Sequence, residues 1–580
     1  MIISASLLLQ FPLPIAKSEV NEIRTISKGS ATSPIELAVS GLPKGSNPFD
    51  PSSANLVANI SFKSGKSIQE PLFWYQEFQN FQNYNDFSTK SIGVPEWRLR
   101  FRALETGKIS VTITGHIDQS PISLETYQLD VDYQTEVPIL ISGRGFYQGD
   151  APFIPIAYNM AWAGRYKELI KYKQWFKSAS AGGVNVARVW MAAWSLGIEW
   201  ADTGLGNYEN RLQNAWTLDQ IFKLANQYNI RIQLVLLNHG AFSESTNPEW
   251  FANPYNKLNS GPLTSPSEFA SNQIAIKFWQ QRLRYIASRW AAYPNLFAWE
   301  WWNEVNFTPI PQDELSRWMK DSKALLVKYD PYGNLTTTSW STAGTVRDWD
   351  PVDFASVHIY DSNDPVYVLK NVAEAMREYL PNKPTVLGEM GSGTNTEDPF
   401  ADPNGLHMHN AQWAATFLGF NSPASYWWWD TYVDPLNLWG HTKGLSKLIA
   451  NLDLVKMSQV EVPSIKDTRT FLLANNSVVI GWTRLNNYTL SAKRDFLLKA
   501  SIAALTSKKP INTNFPTPKS KGGLLSIPVA QEGNYNVTLM KTISGQTIAK
   551  QNSKSVGKTL KIKIPPFTGD IDFRIEKLEA

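Results

Sequence analysis

Cysteine is absent from this chain of 580 residues, which excludes disulfides, thiol nucleophiles and thiolate metal sites and leaves the fold to hold by packing alone. Histidine is scarce, six in all, and none stands at the ligand spacings of hydrolytic zinc sites. No stretch reaches the about 18 uninterrupted apolar residues that a membrane-spanning helix needs. Clustered arginines and nucleic-acid-binding motifs are missing, and no Gly-rich phosphate loop follows the first strand-like run, so nucleic acids and dinucleotides are set aside as ligands.

What is present is a globular composition, 43% hydrophobic, in a chain long enough for about three domains. Met1–Ser18 (MIISASLLLQFPLPIAKS) has the apolar stretch and terminal small residue of a secretory leader, although no basic residue precedes Lys17 and two prolines interrupt the run. Export to an extracytoplasmic compartment, periplasmic or secreted, is the expectation. Charge is uneven: residues 456–580 hold 19 Lys and Arg against 8 Asp and Glu, leaving −7 for residues 1–455 out of a total of +4. Lysines scattered along strand-like segments read as solvated faces that keep sheet edges apart.

From about 33 to 135 short β-rich runs alternate with turns, as in Asn55–Ser64, Glu96–Ala103 and Lys108–Gly115. The same pattern returns after about 458 in Ser477–Thr483, Tyr535–Met540 and Thr559–Ile564. Both ends read as β-sandwiches. Between them lie eight strand candidates: Phe153–Trp162, Val184–Met191, Ile230–His239, Leu296–Glu304, Leu335–Ser341, Phe354–Tyr360, Thr385–Met390 and Ala424–Asp430. Amphipathic helical segments intervene, including Trp216–Tyr228, Ile274–Tyr293, Gln312–Tyr329 and Val366–Leu380. The expected fold is α/β, a (β/α)8 TIM barrel over 141–455 flanked by β-sandwiches over 19–140 and 456–580, with 1–18 as the leader.

In such a barrel active sites lie at the C-terminal strand ends, and the polar residues of the central region fall there. Arg188 lies near the end of strand two, Asn238 and His239 end strand three, and Asn303 and Glu304 end strand four. His358 and Tyr360 end strand six, Glu389 ends strand seven, and Trp427–Asp430 end strand eight. Residues two apart share a face, so His358 and Tyr360 point the same way. Asn303 and Glu304 are adjacent and reach one site only if the chain turns off the sheet there, as a β-bulge at the barrel rim allows. Glu300 shares the Glu304 face of a regular strand and is expected to be a buried, paired structural carboxylate.

With Trp302-Asn303-Glu304, Gly388-Glu389 and His358-Ile359-Tyr360 in these places, the region from roughly 145 to 455 resembles a clan A glycoside hydrolase, similar to family 5 cellulases and mannanases. Gly405–Asn410 (GLHMHN), Ser425–Asp430 (SYWWWD), Pro71–Tyr75 and Trp97–Phe101 resemble a branch in which a β-sandwich precedes the barrel and another follows it. The resemblance implies Glu304 as acid/base, Glu389 as nucleophile and Asn303 as holder of the sugar 2-hydroxyl. It also implies that Tyr360 bonds the nucleophile, Arg188 keeps Glu389 ionised, and a strand-eight tryptophan, Trp428 or Trp429, floors the sugar being cleaved. Met390 stands where many relatives carry an aromatic residue.

Two carboxylates brought together suffice to cleave a glycosidic bond, and their separation sets the stereochemistry: about 5 to 5.5 Å gives a covalent intermediate and retention, about 6.5 to 9.5 Å gives inversion. A cation beside Glu389 leaves the shared proton on Glu304. Of the 23 tryptophans, 20 lie between 141 and 455. Trp162, Trp190, Trp194, Trp340 and Trp427–Trp429 stand near strand ends, where indole faces suit the C–H faces of pyranoses. Trp175, Trp279, Trp290, Trp318 and Trp413 sit in helical segments and read as core. The expected activity is hydrolysis of a β-linked oligo- or polysaccharide by retaining double displacement, without cofactor or metal. The expected substrate-binding residues are Arg188, Asn238, His239, Asn303, His358, Tyr360, Trp428 and Trp429. A carbohydrate-binding barrel without turnover and a transglycosylase are the alternatives.

Overall fold

The computed structural model describes residues 22–578 apart from 84–85, 165–166, 362, 395–396, 398, 508–509 and 512; the leader read at Met1–Ser18 lies outside the described residues. The N-terminal region forms two antiparallel sheets. One has the order Glu22–Ser27, Ile35–Ser40, Asp86–Phe101, Phe73–Asn83, and the other Ser67–Pro71, Ala54–Phe62, Gly107–Ile117, Ser120–Ser123, with Tyr127–Val131 also on Gly107–Ile117. Alternate residues of Ala54–Phe62 are buried, namely Ala54, Leu56, Ala58, Ile60 and Phe62, and they join Leu37, Val39, Leu99 and Val111 in one apolar cluster. This is the period-two pattern of sheets packed on one face.

Three short antiparallel strands, Ile139–Ser142, Gly145–Gln148 and Ala151–Phe153, follow. Phe146 packs edge-on against Phe297 and Phe354, in a small cluster with Val186, Leu335 and Val386 at the starts of the central strands. The run expected as one strand from Phe153 to Trp162 is therefore two elements. Ala151–Phe153 closes this hairpin and Ala157–Asn159 opens the parallel sheet, with Pro155 between them unable to donate a ladder hydrogen bond.

The central region is α/β. Ala157–Asn159, Val186–Trp190, Arg231–Asn238, Leu296–Asn303 and Leu335–Thr337 pair in parallel in chain order, as do Ser339–Trp340, Ala355–Tyr360 and Thr385–Gly391. Thr338 divides the expected fifth strand: its hydroxyl donates to the Trp302 carbonyl at 3.0 Å. The eighth segment pairs with the seventh strand through a Met390–Tyr426 bridge, with the N–H of Met390 donating to the Ser425 carbonyl at 2.9 Å. Helices intervene at Glu168–Ala181, Leu212–Gln227, Gln273–Trp290, Gln312–Leu326, Pro365–Tyr379 and Leu406–Leu418. Asn272 caps the third of these by accepting from the N–H groups of Ile274 and Ala275.

The C-terminal region has a six-stranded antiparallel sheet and a separate apolar cluster around Val537, Ile562 and Phe573. It also contains a helix, Leu490–Ser507, that the β-rich reading did not anticipate. Its sequence LSAKRDFLLKASIAALTS is built from strong helix formers, and Leu490 and Leu497 pack on Ala401 of the segment after the seventh strand.

Candidate active site

Arg188 is the hub. Its Nη1 donates to Glu389 Oε1 at 2.7 Å and to Asn159 Oδ1 at 3.1 Å, while Nη2 donates to Asn303 Oδ1 at 2.6 Å. Nε and Nη2 also make a two-point pair with Glu300, both at 2.7 Å, the geometry that a planar guanidinium offers a carboxylate. Glu300 takes a further bond from Gln233 Nε2 at 2.7 Å. Burial works against its charge, but Arg188 outweighs it and holds the carboxyl below the usual glutamate range. Glu300 is fully buried and has the structural place expected of it.

The strand turns off the sheet by a device other than a bulge. Leu296–Asn303 ends at Asn303, and Glu304 takes a left-handed conformation with φ 48° and ψ 49°. That sharp turn lets two adjacent side chains reach one site, at a backbone cost of roughly 1–2 kcal/mol for a residue with a Cβ. The N–H of Glu304 donates to Ser339 Oγ at 2.9 Å.

The Glu389 carboxylate is enclosed, with its side chain 3% exposed against 12% for Glu304. Besides Arg188 it has the Tyr360 hydroxyl, which donates to Oε2 at 2.6 Å. Gly388 precedes it because a Cβ there would lie 2.1 Å from Ser356 Oγ. His358 Nδ1 stands between the two carboxylates, 3.1 Å from Glu304 Oε1 and 3.3 Å from Glu389 Oε2. Burial pushes the His358 imidazole down to about 4 although Glu389 opposes it, so the ring is neutral near pH 7, and the tautomer protonated at Nδ1 donates to the pair. His239 Nδ1 lies 3.6 Å from Glu304 Oε2 and 3.1 Å from Asn303 Nδ2.

Glu304, His358 and Glu389 each offer an atom within 4.8 Å of the others, the one such cation-sized group among the described residues. Both oxygens of Glu389 already have donors of their own in Arg188 and Tyr360. Burial raises both carboxyls above the ordinary glutamate range. On Glu389 this is opposed by His358, by the direct Arg188 bond and by Tyr360, and on Glu304 by His239, by Arg188 at longer range and by Asn303; among the described residues the guanidinium bonds only Glu389 of the two. The arrangement can therefore keep one proton on a pair of carboxylates and favours Glu304 as its holder.

Asn238 spends its Oδ1 on the N–H of Ala241 at 3.0 Å, fixing the turn beyond His239. Trp429 is 1% exposed and its Nε1 donates to the Trp162 carbonyl at 3.3 Å, so the half-exposed indoles of this segment are Trp427 and Trp428. Trp428 Nε1 donates to the Gly393 carbonyl at 3.1 Å. Trp162 is the centre of an aromatic cluster, with ring centroids 5.3 Å from Trp190, 5.1 Å from Trp194, 5.7 Å from Trp427 and 4.9 Å from Trp429. The Arg188 guanidinium lies 5.2 Å from the Trp190 ring centre.

Asn159, Gln233 and Ser339 are the site residues that sequence reading missed. Gln233, a buried amide inside the apolar run of Arg231–Asn238, is the one with a signal, because a lone polar residue in such a strand needs a partner.

No protein-family model and no curated protein matches this chain. Among solved structures, a protein from Bacteroides vulgatus provisionally assigned as a glycoside hydrolase is similar over 94% of this chain and 98% of its own, at 14% identity and a TM-score of 0.59. The two share a fold over nearly their whole lengths. Also found are a family 5 glycoside hydrolase from Bacteroides vulgatus, at 13% identity, 76% of this chain, 93% of that chain and a TM-score of 0.47, and a β-1,4-D-mannanase from Cryptopygus antarcticus, at 16%, 53%, 95% and 0.40.

Proposed function

We propose that this chain is a retaining glycoside hydrolase for a β-linked glycan, with Glu304 as acid/base and Glu389 as nucleophile. The observation that carries this is the approach of the two carboxylates to within 4.8 Å, with only Glu389 bonded to a guanidinium and a tyrosine hydroxyl. One oxygen of each carboxylate thus lies nearer the other than the about 6.5 to 9.5 Å that inversion uses, which supports direct attack at a carboxyl separation of about 5 to 5.5 Å. The parallel strands in chain order, the pairing of the seventh strand with the eighth segment and the Phe146 plug support a closed (β/α)8 barrel over 141–455. The sheets on either side support sandwich domains over 19–140 and 456–580.

In the first step Glu389 attacks the anomeric carbon while Glu304 gives its proton to the glycosidic oxygen. The carbon–oxygen bond breaks, the leaving sugar departs as an alcohol, and an ester forms to Glu389. Esterification removes the Glu389 charge, so the carboxyl of Glu304 falls in pKa and the deprotonated group becomes the base. It takes a proton from water as that water attacks the anomeric carbon, the ester breaks, and both glutamates return to their starting states. Asn303, held by Arg188 and His239, stands beside the pair to bond a sugar hydroxyl.

The test is release from a panel of aryl β-glycosides and β-linked polysaccharides by wild type, Glu304→Ala and Glu389→Ala. Both substitutions abolish release, and azide restores it with product configuration retained for Glu304→Ala and inverted for Glu389→Ala. Polysaccharide bound without release of any product overturns hydrolysis in favour of a binding barrel. Products longer than the substrate replace it with transglycosylation.

A further inference from the structure

A cavity of about 400 Å³ lies beside the aromatic cluster rather than over the carboxylates, where the loop after the Val186–Trp190 strand meets the N-terminal region. Its volume is that of a small-molecule site. Trp194, 42% exposed, and half-buried Trp200 supply its aromatic wall. Trp194 also touches Trp162, which touches Trp190, whose ring lies under Arg188. A continuous line of indoles thus joins the cavity to the guanidinium that holds Glu389.

Two further observations mark the cavity as a place for a ligand. Ser195 is 5% exposed, lines the cavity and has a hydroxyl with no partner among the described residues, a cost that a ligand hydrogen bond removes. The opposite wall comes from another part of the chain: Asn80 and Thr89 stand on the two arms of the hairpin Phe73–Asn83 and Asp86–Phe101. That hairpin is fixed to the Leu212–Gln227 helix, because Trp216 Nε1 donates to Glu77 Oε1 at 2.6 Å and the Phe78 and Trp216 rings meet at 6.1 Å. Thr89 Oγ1 donates to Asn80 Oδ1 at 2.7 Å, which orients the Asn80 amide and leaves its N–H groups without a partner among the described residues. Arg211 is the one cation among the lining residues, and it is spent on Asp202 and on the carbonyls of Ala193 and Gly197. Among the described residues no lining cation is left for an anion, and the carboxylates of Glu168 and Asp202 also line the cavity.

We propose that this cavity binds a neutral sugar residue of the glycan at a distance from the scissile bond, with the N-terminal hairpin forming one wall of the subsite. Indole faces take the C–H face of the ring, while Ser195, Gln213 and Asn80 take hydroxyls. The N-terminal region is then part of the substrate groove and makes the protein selective for longer chains. The sugar class rests on the glycosidase reading above; the existence of the site does not.

The experiment is calorimetric titration of full-length Glu389→Gln, which binds without turnover, with cello- and manno-oligosaccharides from disaccharide to hexasaccharide. The expected result is a hexasaccharide bound about tenfold or more tightly than the disaccharide, a difference of about 1.4 kcal/mol. Adding Gln213→Trp, which fills the cavity from the helix surface, or Asn80→Ala, on the exposed hairpin, removes most of that difference and leaves disaccharide affinity in place. If Gln213→Trp lowers the melting temperature, Asn80→Ala decides. Equal affinity along the length series, or hexasaccharide binding unaltered by both substitutions, overturns the proposal. Wild-type hydrolysis with such a flat series discards the subsite and keeps the glycosidase; a length series sensitive to Asn80 in a protein without turnover does the reverse.

Discussion

Ser339 Oγ accepts the backbone N–H of Glu304 at 2.9 Å and holds that residue in left-handed backbone, at φ 48°. Function and stability oppose each other here, since a glutamate is kept where glycine or asparagine is at ease. Glu304→Gly is expected to be inactive and more stable by about 1 kcal/mol, the relief of strain less the added freedom of the unfolded chain. Ser339→Ala leaves that N–H without a partner and costs about 1–3 kcal/mol. Denaturant midpoints at unchanged slope measure both; a Glu304→Gly protein less stable than wild type removes the strain argument.

Tyr360→Phe deletes the hydroxyl that donates to Glu389 Oε2. The hydroxyl orients the attacking carboxylate, and misplacing a reacting group costs up to about a hundredfold, so turnover is expected to fall about tenfold to a hundredfold. The sign of the pH effect follows from which form the hydroxyl favours. It stabilises the carboxylate, its loss raises the Glu389 carboxyl, and the acid limb of kcat/KM moves to higher pH. A limb that stays in place assigns the hydroxyl to substrate instead.

The site was legible in sequence to the extent that chemistry sits at strand ends. Arg188, Asn303, Glu304, His358, Tyr360 and Glu389 were each named from their places in apolar runs, and direct contacts join all six. What escaped was what joins them across strands. Asn159 bonds Arg188 from a strand only Ala157–Asn159 long, where alternation has no room to speak. The left-handed turn at Glu304 has no sequence mark, because the residue was selected for its carboxylate and not for its backbone. Trp429 was indistinguishable from Trp427 and Trp428 in a run of three, and its burial depends on Trp162, far away in the chain. The Leu490–Ser507 helix was hidden by the strand patterns on either side of it.

His407 is fully buried on the Leu406–Leu418 helix, and its Nδ1 lies 3.1 Å from the Tyr426 hydroxyl. Burial holds the imidazole down at about 4, with Asp402 opposing. The unfolded chain binds this proton below about 6.5 and the folded chain does not until about 4, so stability is lost as pH falls across that window, by up to about 1.4 kcal/mol per pH unit. Relative to His407→Gln, wild type is expected to show the steeper loss of stability on acidification, read from urea midpoints at about pH 7 and about pH 5. Parallel pH curves for the two proteins overturn the assignment.

The N-terminal sheets are tied to the central region through charge as well as apolar surface. Arg100, on the Asp86–Phe101 strand, donates to both oxygens of Asp219 at 2.8 Å and to Glu36 Oε2 at 2.8 Å. Arg289 and Trp290 donate to the same aspartate. All four charged groups are buried; burial works against the Asp219 charge, and the two guanidiniums hold its carboxyl far below the ordinary range. Replacing such a network wholesale with apolar groups is often neutral, but removing one member strands the rest. Arg100→Met is therefore expected to cost about 3–5 kcal/mol, with Asp219→Asn no additional burden of the same size, because the two act as one unit. Phe49 packs on Tyr208 and Tyr285 across the same boundary, within one continuous apolar cluster. A chain begun at residue 141 uncovers that surface together with Asp219 and should expose apolar area to a hydrophobic dye and lose its cooperative melt. Cooperative melting of the shortened chain at the wild-type temperature is the result that would separate the two regions.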